Sequence, residues 1–287
     1  LFPYLINDVA LRALLRTCAA GVALIMLLIL AFITHASWAL LHTPTAWLAT
    51  QRWQPLEQAY GLLPMLSASL LSSALAMIIV LPVGIILAIW GRFYAPPAAA
   101  SAYRIFMGLM ASIPSVVYGL WGLVVLVPII NRIAPPGASL LAGVLILALM
   151  ILPILVLQAD LALHDSAKKH LNPALALGVS TWAAVRRVLL PASLPQLVPA
   201  VLLQTGRALG ETMAVLMVCG NVPQWPTSLF TPVRTLTANI ALEMSYATGV
   251  HQTALFVSGW LLMLLVLALM LIARYLEQGH HEAHASH

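Results

Sequence analysis

The sequence predicts an all-α membrane protein with six transmembrane helices. Three observations lead there. Of its 287 residues, 62% are hydrophobic and 7% charged, with a mean hydropathy of +1.00, whereas a soluble domain carries roughly 25% charged residues. Six apolar runs are each long enough to cross ~30 Å of hydrocarbon, which takes about 20 helical residues. The 13 Lys and Arg residues stand mostly at the ends of those runs. The net charge of +5 therefore reflects membrane flanks and not a nucleic-acid surface.

The first run is about Cys18 to Ala39. Leu1 in place of a methionine points to residues ahead of it, and this run reads as a retained span, not a cleaved signal. The second, about Leu62 to Trp90, is long enough to tilt and contains Pro64 and Pro82. The third is about Ile105 to Ile130 and the fourth about Ser139 to Leu157. The fifth is about Leu194 to Asn221 and the sixth about Ala254 to Ala273. Prolines are tolerated in such helices because neighbours satisfy the freed carbonyls. Cys18 and Cys219 both fall in these runs, so neither a disulfide nor a metal site is expected.

Orientation follows from the basic residues. With the N-terminus in the cytoplasm, Arg12, Arg16, Arg92, Arg104, Lys168, Lys169, Arg186, Arg187 and Arg274 lie inside. Arg52, Arg132 and Arg234 lie outside, and Arg207 lies in the membrane. The inside excess selects this orientation and puts both ends in the cytoplasm.

The connections differ in character. The outside loop His42–Tyr60 carries Trp47 and Trp53, which suit a membrane interface. The inside loop Gly91–Tyr103 is short, and Asn131–Gly137 is a tight outside turn. Asp160–Pro195 is the longest inside segment. The outside segment Val222–Gln252 has a helical pattern from Leu236 to Tyr246. The tail from Tyr275 is polar. Its His280, His281, His284 and His287 read as a flexible terminus, since a metal needs oriented ligands. His35, His164 and His170 have no evident partners. No internal repeat and no inverted pair of broken spans is visible, which weighs against an ion-coupled secondary transporter.

The fifth run carries the leading functional candidates. Burying a charge in hydrocarbon costs on the order of 3 kcal/mol or more, yet Arg207 and Glu211 both lie in it. They are four apart, on one helical face, so they can pair. Arg before Glu is the less favourable order for a local helix pair. Arg207 lies ~18 Å along the helix from Pro195, near mid-membrane. Gly206 and Gly210 make a G-x-x-x-G step that admits another helix backbone. An ion pair that only fastens two helices is the plainer alternative.

In the inside segment, Leu175, Val179, Trp182 and Val185 fall at helical spacing, interrupted by Gly178 and the capping pair Ser180-Thr181. Two short helices meeting at a turn are expected. They read either as a hairpin on the membrane surface or as a docking surface for a cytoplasmic protein.

The same segment resembles the E-A-A-x-x-x-G … I-x-L-P signature of ABC importer permeases. Aligned on Gly178, Ala174 takes the second alanine, Val188 the isoleucine, and Leu190-Pro191 the final pair. Asn172 and Pro173 depart from the signature's Glu-Ala. Arg207-Ala208-Leu209-Gly210-Glu211-Thr212-Met213-Ala214-Val215 with Gly220-Asn221 resembles the PstC-type permeases of phosphate-specific importers. So do Ile113 to Gly119 and Leu236 to Ala241. The resemblance covers about Leu62 to Arg274.

This resemblance implies the type I ABC importer permease fold. Residues 61–275 would be the core, with a coupling loop at 160–195. Residues 1–60 would add one helix and a periplasmic loop, and residues 276–287 a flexible cytoplasmic tail. Asn172, Ala174, Gly178, Trp182, Leu190 and Pro191 would dock on the ATPase. Arg207 and Glu211 would line or gate the phosphate route, with Ser115 and Tyr118 as polar liners of a flexible gate. A proline-kinked core helix is the alternative for that stretch. Arg234 and Glu243 would be docking charges in a loop that meets the binding protein, or part of a solvated surface helix.

The implied partners are a second permease of PstA type, two copies of a PstB-type ATPase and a PstS-type periplasmic phosphate-binding protein. The setting is a bacterial inner membrane. The chain has no P-loop, so ATP and Mg would be bound by the ATPase, with no cofactor here. Other readings are an importer of sulfate, molybdate or tungstate, an ion-coupled transporter or channel, and a scaffold that has lost transport. Oxyanion permeases of the first kind usually continue Arg-Ala-Leu-Gly-Glu with Phe-Gly-Ala, whereas Thr212-Met213-Ala214 favours phosphate.

Overall fold

A computed structural model describes residues 8–42, 47 and 52–285, with side chains over 11–42, 47 and 52–275. Among the described residues, five helices are long and apolar enough to cross a membrane: Leu11–Leu41, Leu63–Tyr94, Leu140–Ala176, Thr181–Gly210 and Gly249–Tyr275. Pro97–Ser112 and Ser115–Asn131 make a sixth span that bends by 91°.

Helix α1 (Asp8–Leu41) is peripheral. None of its most apolar window is buried, and it lies against α11 (Gly249–Ala285), where Phe32 meets the edge of Phe256 at 5.7 Å. Helix α2 (Leu63–Ile89) packs along α6 (Leu140–Ala176). Ala76, Met77 and Val80 meet Ile146, Leu147 and Ile151 in the main core. The buried hydroxyls of Ser69 and Ser73 bond back to their own helix at 2.9 and 2.8 Å, which lets polar residues sit in that core.

Helix α6 is longer than expected. Ser139 caps its start by accepting from Ala142 N–H, and the helix runs 37 residues without a break, or ~55 Å. The expected fourth span ends at Leu157, but regular hydrogen bonding carries the helix to Ala176 past Pro153 and Pro173. Beyond the turn at Gly178, α7 (Thr181–Ala184) starts from Ser180, whose hydroxyl accepts from Ala183 N–H. A π-turn at Val185–Leu189 then leads into α8 (Leu190–Gly210). The two helices at this turn are thus the ends of long rods, not a short hairpin.

The opposite end holds a feature the all-helical reading omits. Trp53–Gln54 (β1) pairs antiparallel with Ala59–Tyr60 (β2). Trp47 and Trp53 are buried there with Leu62, Met65, Leu236 and Leu255, not spread at a lipid interface. Helix α10 (Leu236–Glu243) lies inside the same cluster. The tail backbone continues α11 to Ala285.

Candidate functional site

Two spans are broken, and the breaks share one geometry. Helix α3 (Pro97–Ser112) stops and Ile113 is extended, at φ −65° and ψ 129°. Helix α8 stops at Gly210 and Glu211 is extended, at φ −67° and ψ 129°. The chain resumes as α4 (Ser115–Trp121), followed by a π-turn and α5 (Val127–Asn131), and as α9 (Met213–Val218). Broken spans are therefore present, though the sequence gives no sign of an inverted pair.

At the first break Pro114 has no N–H to offer the carbonyl of Met110 four residues back. Ile113 N–H reaches that carbonyl at 3.2 Å, and the Tyr118 hydroxyl donates to it at 2.8 Å. Tyr118 is thus a buried fastener across the bend. Ser115 opens α4 and is half-buried.

At the second break the expected continuous helix fails. The Glu211 carboxylate accepts from Ala214 N–H at 3.1 Å, and its carbonyl accepts from the Thr237 hydroxyl at 2.8 Å. A side chain that bonds a nearby backbone N–H competes with the helix, and Gly210 before it is the weakest helix former short of proline. Arg207 and Glu211 are consequently not an ion pair here. Arg207 is exposed, and among the described residues it has no hydrogen bond or ion pair.

The half-helices α4 and α9 pack on each other. A Cβ on Gly119 would stand 2.8 Å from Ala214 Cα, so only glycine admits this approach. The Gly206–Gly210 step plays no such part within the chain. A Cβ on Gly206 would meet Met270 Cε at an ordinary 3.5 Å, and Gly210 faces open space. One turn below Arg207, buried Gln204 donates to Gln158 on α6 at 3.2 Å, a mid-bundle polar link not anticipated from sequence.

The turn between α6 and α7 gathers the remaining candidates. Gly178 has φ +77°, a conformation suited to glycine, and it ends α6 with bonds from Gly178 and Val179 N–H to Leu175 and Ala174 carbonyls. Ala174 is buried under the turn, while Asn172 is exposed. Leu177 is 84% and Trp182 56% exposed, a large apolar surface on a segment rich in charge. Pro191 is exposed and Leu190 half-buried at the start of α8.

Two clusters escaped the sequence reading. Buried Asp160 binds Arg92 at 2.6 Å and Arg104 at 3.0 Å, and His164 contacts Arg92 at 3.1 Å. At the other end Glu243 pairs with Arg234, accepts from Trp53 Nε1 at 2.9 Å and meets His251 at 2.8 Å. Arg234 and Glu243 spend their charges on each other in the interior and are not docking charges. Thr235, Thr237 and Asn239 are buried as well, so α10 is not a solvated surface helix. The only sequence signal was the rarity of acid: eight Asp and Glu in the whole chain. Among the described residues no three His, Cys, Asp or Glu side chains gather as a metal site.

The model of one protein family, described as binding-protein-dependent transport system inner membrane component, matches residues 80–281. The phosphate transport system permease protein PstC of Mesorhizobium japonicum is 31% identical over 297 residues, covering 95% of this chain and 90% of the relative. The probable ABC transporter permease protein YqgH of Bacillus subtilis is 36% identical over 241 residues, covering 82% and 78%. The MetNI methionine ABC transporter in an inward-facing crystal form superposes with a TM-score of 0.58 at 22% identity, covering 79% of this chain and 99% of that one.

Proposed function

The chain belongs to the family of binding-protein-dependent transport system inner membrane components, and from that premise we propose that it is the membrane permease of an ATP-driven phosphate importer. The observation that carries the substrate is its similarity to a PstC permease along 95% of its length. The fold is that of type I ABC importer permeases. As a permease it would form the path with a second permease of PstA type in the bacterial inner membrane. A PstB-type ATPase pair would bind ATP and Mg and dock on the Gly178 turn. A PstS-type binding protein would deliver phosphate at the hairpin end.

The geometry supports a division of labour. Glu211 is committed to the start of α9, so Arg207 is left free beside the second break. A guanidinium presents a planar fork of donors that suits an oxyanion. With no partner among the described residues to displace, Arg207 can receive phosphate from the path and release it. Leu177 and Trp182 offer apolar surface to a protein groove. Both ends of the chain lie in the cytoplasm in this reading, because Lys168, Lys169, Arg186 and Arg187 flank the turn.

The test is radiolabelled phosphate uptake into vesicles that hold the assembled transporter, with and without ATP inside. ATP-dependent uptake that sulfate and molybdate do not compete is the expected result. Competition by either oxyanion would reassign the substrate, and uptake without ATP would reassign the class.

A further inference from the structure

The densest charge cluster at the Gly178 end, centred on buried Asp160, lies away from Arg207. The Asp160 carboxylate receives three charge-assisted hydrogen bonds. Arg92 grips it as a fork, Nε to Oδ1 at 2.8 Å and Nη2 to Oδ2 at 2.6 Å. Arg104 adds Nε to Oδ2 at 3.0 Å. One turn along α6, His164 accepts Arg92 Nη1 through Nδ1 at 3.1 Å, since a guanidinium can only donate.

Three elements meet at this carboxylate. Arg92 sits in the π-turn Trp90–Tyr94 that ends α2, Arg104 on α3 and Asp160 on α6. The corner between α2 and α3 is tightly filled. Tyr103 lies so near Gly91 that a Cβ there would stand 2.7 Å from its ring, and Trp90 meets the same ring edge-on at 5.6 Å. From Asp160, α6 runs ~24 Å without a break to its end before the Gly178 turn. From Arg104, α3 runs ~14 Å to the bend at Ile113 and Pro114. Among the described residues this is the only ion-paired joint between the helix that carries the turn and the broken span.

Buried ion pairs contribute little net stability compared with apolar packing of the same volume, and their best-attested use is to specify one arrangement. We propose that Asp160, gripped by Arg92 and Arg104, is a positioning residue that makes α6 and the α3 arm of the broken span move as one body. Motion at the Gly178 turn then reaches the bend and, through Gly119 and Ala214, the half-helix α9. This proposal rests on the reading of the chain as an ATPase-driven permease.

The experiment uses the whole transporter in proteoliposomes. Arg104→Gln removes one arm and leaves the Arg92 fork, so the fold is kept. The first readout is phosphate moved per ATP hydrolysed. Loss of this bond lowers that ratio with ATP hydrolysis retained, and Arg104→Lys restores most of it. An unchanged ratio, with both rates falling together, marks a merely structural residue and overturns the proposal.

The second readout does not depend on the solute. Spin labels on Leu109→Cys in α3 and Leu175→Cys in α6, both exposed positions, report the distance with and without an ATP analogue, in a Cys18→Ala background. The expected distance is the same in both states with Arg104 present and shifts or broadens in Arg104→Gln. A distance indifferent to that substitution overturns the proposal. If the unsubstituted complex moves no phosphate on ATP, the phosphate reading fails, and the distances still decide the clamp.

Discussion

Arg207 is exposed and has no partner among the described residues, and Glu243 is buried with three, so their substitution should fail in opposite ways. Exposed side chains away from special features change stability by ~0.5 kcal/mol or less. Arg207→Gln should therefore leave the melting temperature of the purified complex unchanged while phosphate uptake falls about tenfold or more, the worth of one charged hydrogen bond to the anion. Normal uptake in that variant would remove Arg207 from the path. Glu243→Gln leaves the largely buried Arg234 guanidinium with its counter-charge gone. Breaking one partner of a buried pair costs roughly 3–5 kcal/mol, so the melting temperature should drop by several degrees before any transport is measured. Both residues stand out in the sequence as rare charges. What each does with its charge does not. The pairing of Arg207 with Glu211 assumes a helix that continues past Gly210, and the pairing of Trp53 with Glu243 bridges 190 positions, beyond any periodic signal.

The spans themselves were legible because twenty apolar residues have few other uses. The breaks were not, because proline alone does not decide them. Pro82, Pro153, Pro173, Pro195 and Pro199 sit inside helices that continue, whereas the chain bends at Pro114. What differs is the partner of the freed carbonyl. At Met110 that partner is a side chain four residues past Pro114, and the Tyr118 hydroxyl can reach it only when the chain turns. Tyr118→Phe leaves that carbonyl with the single bond from Ile113 N–H. Because the carbonyl stays bonded, losing this hydrogen bond costs ~1 kcal/mol, and the cost is local. Amide exchange should accelerate between Ser112 and Tyr118 and stay unchanged in α6. Equal protection in both proteins would show that Gly119 packing alone holds the bend. The second break had no proline to flag it; its cause is the Glu211 side chain acting on Ala214 N–H, which sequence periodicity does not encode.

At the scale of the whole molecule, α6 decides which end is wet. Its 37 residues measure ~55 Å against ~30 Å of hydrocarbon, so roughly 25 Å must leave the membrane on one side. The first half, from Leu140 to Ala159, carries no charge, and Asp160, Asp165, Lys168 and Lys169 all fall in the second half. The Ser139 end is also tied down, with Ser139 and Leu140 N–H bonded to Val218 and Thr231 carbonyls. The excess length therefore emerges at the Gly178 turn, where Arg186 and Arg187 add to a positive charge that lies in the cytoplasm in the proposed orientation. Fully exposed Leu56, in the turn between β1 and β2, then faces outside. A membrane-impermeant maleimide separates the two faces in a Cys18→Ala background. Leu56→Cys should label in intact spheroplasts, and Leu177→Cys only after permeabilisation. The reverse pattern would invert the molecule. It would also take the Gly178 turn out of reach of any cytoplasmic ATPase, since a soluble partner cannot dock on a surface the membrane hides from it.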